Sequence, residues 1–365
     1  MPSELLFARF KPINLEPKNS IGAKWERLLD TLDLRSTVKG RRTAIKMHLG
    51  GGTGFSTIHP IFVRALVDRV KQAGAREVFV TDSPAAVRHA VDRGYTREVL
   101  GCPIVSGTGT ADRYVYCKSI EPHHRHLDSV NLAGEVVDAN ALIDLSHFKA
   151  HGACGFGGAS KNLSMGAVDE GTRGRLHALE GGLEWDRDKC NQCRACVDNC
   201  ESQALSMKDD GQWSVFYHHC RFCQHCVLIC PEQAITMQGG AYADFQRGMA
   251  LTTHEILKTF DPKHVLFINF LMDITVFCDC WGMTTPRLLP DIGILAGNDL
   301  VAIEKASLDL VHVEDLIPGS LPAQLPLGDG RHLFERIHGK DPYLVIEYLA
   351  DLGRGNRDYE LREIA

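Results

Sequence analysis

Arg42 to Ser83 reads RTAIKMHLGGGTGFSTIHPIFVRALVDRVKQAGAREVFVTDS, and the order of its apolar residues decides the fold class. RTAIKMHLG (Arg42–Gly50) is short, apolar and bounded by glycine, so it reads as a buried strand. GGTGFST follows as a glycine-rich loop. HPIFVRALVDRVKQAGA then carries apolar residues at helical spacing and stops at Gly74. REVFVTDS is a second strand, and PAAVRHAVDRGY after it reads as helix. Strand, helix, strand, helix is the order of an α/β domain with a parallel or mixed sheet flanked by helices.

The same alternation returns downstream. YVYC and NALIDLS are short apolar runs, and AYADFQRGMALTTHEILKTF reads as a helix. HVLFINFLMDIT and DIGILAG read as strands. NDLVAIEKASLDLVHVE reads as a helix opened by Asn298 or Asp299. LFERIHGKDPYLVIEYLADLGRG adds helices, and the polar tail from Arg354 is expected to fray. Residues 1–182 and 241–365 are therefore expected to form two parts of one α/β domain, interrupted by an insert over residues 183–240.

That insert holds eight of the thirteen cysteines, in CNQCRACVDNCESQALSMKDDGQWSVFYHHCRFCQHCVLICPEQAITM (Cys190–Met237). Shifted by thirty positions it lies on itself. Cys190, Cys193, Cys196 and Cys200 fall on Cys220, Cys223, Cys226 and Cys230, and Gln203, Ala204 and Met207 fall on Gln233, Ala234 and Met237. Each half is a C-x2-C-x2-C-x3-C run. Three thiolates at this spacing wrap one face of a cubane, and the fourth ligates the other cluster in two-cluster ferredoxins. One [4Fe–4S] cluster is assigned to Cys190, Cys193, Cys196 and Cys230, the second to Cys220, Cys223, Cys226 and Cys200. All-cysteine zinc sites do not need two interlocked runs of this kind. The segment resembles bacterial two-cluster ferredoxins over about residues 183–240. Pro231 closes the second run as that resemblance implies, whereas Glu201 stands at the matching place in the first. Arg194, His218, His219, Arg221 and His225 give the segment a basic edge, read as a solvated surface.

Composition narrows the setting. A hydrophobic content of 44% and a charged content of 24% suit a soluble globular protein. A net charge of −6, without a long run of one sign, argues against nucleic acid or an anionic membrane as partner. Neither a signal peptide nor an apolar stretch of roughly 18 residues is visible. A cytoplasmic location is expected, where clustered thiols bind metal more readily than they form disulfides.

Three loops of the α/β part carry chemistry. SHFKAHGACGFGGASKNLSMG (Ser146–Gly166) follows the strand ALIDL and packs His147, Lys149, His151, Cys154 and Lys161 among glycines, including Gly155, Gly157 and Gly158. Loops at the carboxyl ends of α/β strands are where ligands bind, and glycines let backbone N–H groups approach an anion. CDCWG (Cys278–Gly282) places two thiols in a C-x-C arrangement that could chelate a further metal centre or act as nucleophiles. HLGGGTGFSTIHP (His48–Pro60), with Gly51 and Gly52, precedes a helix start that suits phosphate or carboxylate, although it is neither a dinucleotide fingerprint nor a Walker A motif. EPHHRHLD (Glu121–Asp128) reads as a surface turn, and Cys102 and Cys117 as core thiols.

AIKMHLG, GAREVFVTDS, the Ser146–Gly166 loop, the cysteine insert, CDCWG and PDIGILAGNDLVAIEKASLDL together resemble the prokaryotic iron–sulfur centre family known as domain of unknown function 362, over most of residues 40–312. That resemblance implies an anaerobic or redox setting and no particular substrate. The glycine-rich loop is also distantly similar to the nickel-pincer lactate racemase family, but Lys161 in GGASK stands one residue out of that family's register.

Two function classes follow. In the first, two clusters relay electrons to a small anionic substrate or cofactor held by the loops, with Lys149, Lys161 and backbone amides as anion binders. His147 or His151 would then serve as proton donor, with Cys154, Cys278 and Cys280 acting on substrate or on metal. In the second, the chain is an electron carrier or adaptor docking to a partner oxidoreductase. No flavin or nicotinamide fingerprint is present, so the electron donor or acceptor is expected to be an external protein such as a ferredoxin.

Overall fold

The computed structural model describes residues 2–200, 203–216, 220, 225–238, 241–321, 325 and 327–364. Cys223, Glu201, His218, His219 and Arg221 lie outside the described residues, as does the His225 side chain. Eight strands form one sheet: β1 (Ser3–Arg9), β2 (Arg42–Met47), β3 (Glu77–Asp82), β4 (Ile104–Ser106), β5 (Ala141–His147), β6 (Val265–Leu271), β7 (Gly293–Gly297) and β8 (Tyr359–Glu363). Their order across the sheet is β8-β1-β7-β6-β5-β2-β3-β4. β7 is antiparallel to both of its neighbours, and every other pairing is parallel. The sheet is thus mixed and largely parallel, with strands from both sides of the cysteine-rich segment side by side, β5 against β6.

Helices cover both faces, which is why the central strands read as nearly continuous apolar runs. Alternate residues serve opposite cores. Leu6, Ala8, Ile45 and Ile143 pack toward α1 (Ile21–Thr31) and α2 (Pro60–Gln72). Leu5, Phe7, Ala44 and Leu142 pack toward α3 (Ala159–Gly166), α4 (Tyr242–Leu257), α5 (Leu300–Asp309) and α6 (Leu344–Asp351). The Asp299 carboxylate accepts the Ala302 N–H at 2.9 Å and so caps α5.

Two expectations from sequence do not hold. The tail beyond Arg354 is ordered: β8 pairs in parallel with β1, and Ile364 donates its N–H to the Phe7 carbonyl. β1, short and close to the chain start, is the template that makes this possible. Cys117 is exposed rather than a core thiol, because it lies on the hairpin of Val115–His124 with Leu127–Ala133, while Cys102 is buried as expected. EPHHRHLD forms the tip of that hairpin, with His124 and Arg125 both paired to Asp244.

Residues 183–237 have a separate small core of Leu183, Cys196, Ala204, Leu205, Trp213, Cys220 and Ile235. Leu183–Trp185 pairs antiparallel with Ile235–Met237, and Leu205–Met207 with Trp213–Val215. The sequence repeat has a backbone counterpart: Gln203 and Gln233 both adopt positive φ, 52° and 48°.

Candidate active site: a cation-lined cavity with a thiol wall

The carboxyl ends of β2, β3, β5 and β6 surround a cavity of about 220 Å³. This is where an open α/β sheet presents its loops to a ligand. Lys46, Lys149, Lys161 and Arg173 supply cationic groups to its wall, with Cys278 and Cys280 on one side.

Lys46 sits inside an otherwise apolar strand and is buried. A buried ammonium is tolerated only when its donors are satisfied. Its Nζ donates to Asn162 Oδ1 at 2.7 Å and to the Met47 carbonyl at 3.0 Å, and pairs with Asp82 Oδ1 at 3.1 Å. Asp82 Oδ2 faces His48 Nδ1 at 3.0 Å and accepts the Leu49 N–H at 2.9 Å. Burial alone would raise the Asp82 carboxyl, but Lys46 and His48 outweigh it and hold it well below its ordinary range. Asn162 returns an amide N–H to the Lys46 carbonyl at 2.9 Å, which locks α3 onto β2.

A second buried ion cluster lies across the cavity. Asp279 pairs with His147 Nδ1 at 2.8 Å and with Lys149 Nζ at 3.1 Å, and accepts the Ser56 hydroxyl at 2.9 Å. Burial opposes its ionisation, yet Lys149 and His147 hold its carboxyl far below the usual value. His147 Nε2 faces the Met272 carbonyl at 2.8 Å, so both ring nitrogens meet acceptors. The imidazole expected as a proton donor is instead committed at both ends to holding Asp279 and the start of the Cys278 loop.

The thiols come next. Lys161 Nζ lies 3.6 Å from Cys278 Sγ and 3.9 Å from Cys280 Sγ. His151 Nε2 lies 3.7 Å from Cys280 Sγ, and its Nδ1 accepts the Ala153 N–H at 3.0 Å. The ligand atoms of His151, Cys278 and Cys280 all fall within 4.8 Å of one another, close enough to hold one soft cation. Cys278 is buried and Cys280 exposed. Burial would push the Cys278 thiol up, but the Cys280 S–H, Lys161 and Lys149 outweigh it and hold Cys278 well below its ordinary value. Cys280 is raised in turn, chiefly by its hydrogen bond to Cys278. Burial would lower Lys161, yet the two sulfurs raise it and keep it an ammonium. Cys154 does not join them: it is buried, donates to the Phe156 carbonyl at 3.0 Å, and burial pushes its thiol up to about 12.

The glycines divide. Gly157 and Gly158 line the cavity. A Cβ at Gly157 would touch Lys161 Cδ at 3.4 Å and Lys149 Cε at 3.5 Å. Gly51, Gly52 and Gly155 do not line it. Gly52, with φ +47°, lets its loop press on the Gly282 backbone, and Gly155 lies against Pro342. The His48–Pro60 loop therefore buttresses the Cys278 loop through Gly52, and its His48 reaches the cavity wall.

In the cysteine-rich segment, Cys200 Sγ accepts the Ala204 N–H at 3.2 Å and Cys230 Sγ accepts the Ala234 N–H at 3.3 Å. Burial chiefly raises the Cys196 thiol, and Cys230 is among its further causes, which brings the third cysteine of one run beside the fourth of the other.

The model of the family described as domain of unknown function (DUF362) matches residues 43–309. The chain belongs to this family. The DUF362 span runs from Thr43 in β2 to Asp309 at the end of α5, and so contains the cavity and the cysteine-rich segment but not β1 or β8. No curated protein matches the chain. Among solved structures, the lactate racemase apoprotein from Thermoanaerobacterium thermosaccharolyticum is similar at 11% identity and a TM-score of 0.38, covering 74% of this chain and 51% of that one. A protein from Thermotoga maritima is similar at 9% identity and a TM-score of 0.38, covering 72% and 52%. The chain thus spans about half the length of either protein.

Sequence reasoning singled out Lys149, His151, Lys161, Cys278 and Cys280 but left open whether their two loops meet, and it missed Lys46, Asp82, Asn162, Arg173 and Asp279. Lys46 had a legible signal: a lone charge in the middle of a buried strand. Arg173 had none, because it reaches the cavity from a short helix, Glu170–Ala178, of polar sequence.

Proposed function

We propose that this DUF362 chain is an iron–sulfur redox protein that reduces a small anionic molecule in the cavity, drawing electrons from an external one-electron donor protein. The observation that carries the reading is the cavity wall, where Lys46, Lys149, Lys161 and Arg173 meet two sulfurs at the carboxyl ends of the sheet. Lys161, which faces the two sulfurs, and Arg173, which meets Asp112 at 3.8 Å and donates to the Val168 carbonyl, are the anion binders of choice, since Lys46 and Lys149 are paired at 3.1 Å to the buried Asp82 and Asp279.

The described cysteines are compatible with the two proposed [4Fe–4S] clusters. A ligating thiolate is stabilised by N–H donors, and the Ala204 and Ala234 amides donate at matching places in the repeat. The neighbourhood of Cys196 and Cys230 supports the crossed ligand assignment. Such clusters, when bound, supply single electrons. The segment is rooted beside the cavity: His177, in the cavity wall, stacks on Phe245 at 5.1 Å, and these residues flank the segment's entry and exit. A carrier without chemistry of its own would have no use for this cavity, which is why the reductase reading stands first.

Iron, sulfide and total metal per chain on anaerobically purified protein, with an EPR spectrum after reduction, test this reading. About eight iron with two interacting cubane signals supports it. Iron absent from protein that retains its fold overturns it. Zinc or nickel beside iron would favour a further centre at His151, Cys278 and Cys280, whose soft donor set suits either ion.

A further inference from the structure

We infer that Cys278 and Cys280 form a redox dithiol that cycles with a Cys278–Cys280 disulfide, and that the anionic molecule reduced in the cavity is a disulfide. The inference deepens the reductase reading by naming its substrate class, and it rests on the geometry of the thiol wall.

Three observations separate a dithiol from a metal site. First, the Ala153 N–H donates to His151 Nδ1 at 3.0 Å. A nitrogen that accepts carries no proton, so the neutral ring is protonated at Nε2, which faces Cys280 Sγ at 3.7 Å. Metal-ligating histidines are arranged the other way, with the second nitrogen donating. His151 is built to donate to sulfur. Second, Lys161 already places an ammonium against both sulfurs, which compensates a thiolate without a metal ion. Third, the two thiols differ in access, Cys280 exposed and Cys278 buried. That asymmetry separates an attacking thiol from a resolving one. The Cys280 N–H also donates to Cys278 Sγ at 3.4 Å, so the short turn Asp279–Trp281 folds the two residues together.

The exchange balances without an outside reagent. Cys280 attacks one sulfur of the substrate and gives up its proton to the departing sulfur. The substrate S–S bond breaks and a Cys280–substrate disulfide forms. Cys278 then attacks Cys280 Sγ, the mixed disulfide breaks, and the second substrate sulfur leaves with the Cys278 proton. Two electrons and two protons have moved from the pair to the substrate. Two one-electron equivalents and two protons restore the dithiol. The Lys161 and Arg173 side chains orient a carboxylate or other anionic group on the substrate.

The test uses the full, cluster-loaded chain carrying Cys117→Ser, which removes the exposed thiol outside both sites. The probe is 5,5′-dithiobis(2-nitrobenzoate), a disulfide with two carboxylates, compared with the uncharged 4,4′-dithiodipyridine. A fast phase releasing about two thiol equivalents is expected, leaving a Cys278–Cys280 disulfide by peptide mass mapping. Cys278→Ser should release about one equivalent and retain a stable adduct on Cys280. Cys280→Ser should lose the fast phase. Arg173→Ala should slow the charged probe by at least about tenfold and the uncharged probe by much less, whereas Lys161→Ala should slow both, because it also removes the cation beside the two sulfurs. Thiols that react only after a chelator strips zinc or nickel would overturn the inference, as would a stable double adduct without a disulfide. Iron content is read on the same samples. A fast phase in iron-free protein would sink the cluster reading and leave this one standing, and the reverse result would do the opposite.

Discussion

The cavity and the cysteine-rich segment hold their reactive groups by different means. Around the cavity, the buried charges of Lys46, Asp82, His147 and Asp279 are fixed by partners from elements far apart in sequence. Lys46 in β2 is tied to Asp82 in β3 and Asn162 in α3, and His147 in β5 is tied to Asp279 beyond β6. The described residues of 183–237 instead share a small core of seven buried side chains, two of them cysteines. A segment of that size rarely builds a sufficient core and leans on disulfides or metal. The free energy that orders the first region comes from the sheet, whereas on the proposed reading the second draws its order from the clusters.

The largest effect expected from this difference is local unfolding of one region only. Iron chelation under reducing conditions, or the paired variant Cys196→Ser with Cys230→Ser, should abolish hydrogen-exchange protection over residues 183–237. The strands β2, β5 and β6 should keep theirs. Equal loss in both regions would show that the segment and the sheet are one cooperative unit.

Next in size is Asp279→Asn. The substitution keeps the shape but leaves Lys149 buried without its anion and strips His147 of its charged acceptor. Removing one partner of a buried pair costs about 3–5 kcal/mol. Chemical denaturation should show a loss of that order, with iron content unchanged. A change under about 1 kcal/mol would mean that water or relaxation already screens the cluster.

The same comparison explains what could be read from the sequence. The cysteine repeat is local, so its spacing alone carries the proposed ligand set, of which Cys223 lies outside the described residues. The α/β order was legible from periodicity. The C-terminal strand was not, because YELRE is polar and only β1 beside it makes it a strand. Within the cavity, residues in glycine-rich loops drew attention, whereas Asp82 and Asp279 did not. Their role depends on which strands are neighbours, and that is a property of the sheet order. Gly51 and Gly52 left both a ligand loop and a structural turn open for a related reason. A glycine that admits a ligand and one that admits another backbone leave the same mark in sequence.

The smallest effect expected is a pH dependence that belongs to the sheet alone. Glu304 in α5 accepts the Ser160 N–H at 3.1 Å, at the start of the helix that carries Lys161 and Asn162. Burial raises its carboxyl from 4.5 to about 8, and burial raises Asp144, beneath Asn162, to about 7. A carboxyl raised in the folded state binds its proton more tightly there than in the unfolded chain. Its contribution is therefore fully present below the unfolded value and is lost as pH rises through the folded one. The α/β part should lose stability, by roughly a few kcal/mol at most, between about pH 4.5 and 8. Glu304→Gln keeps an oxygen for the Ser160 N–H and removes the larger share of that slope, with Asp144 supplying the remainder. Denaturation midpoints of the two proteins at either end of the range measure it. Parallel curves would mean that Glu304 is already ionised beside the helix N-terminus, and that the start of α3 holds a charge instead of a neutral acid.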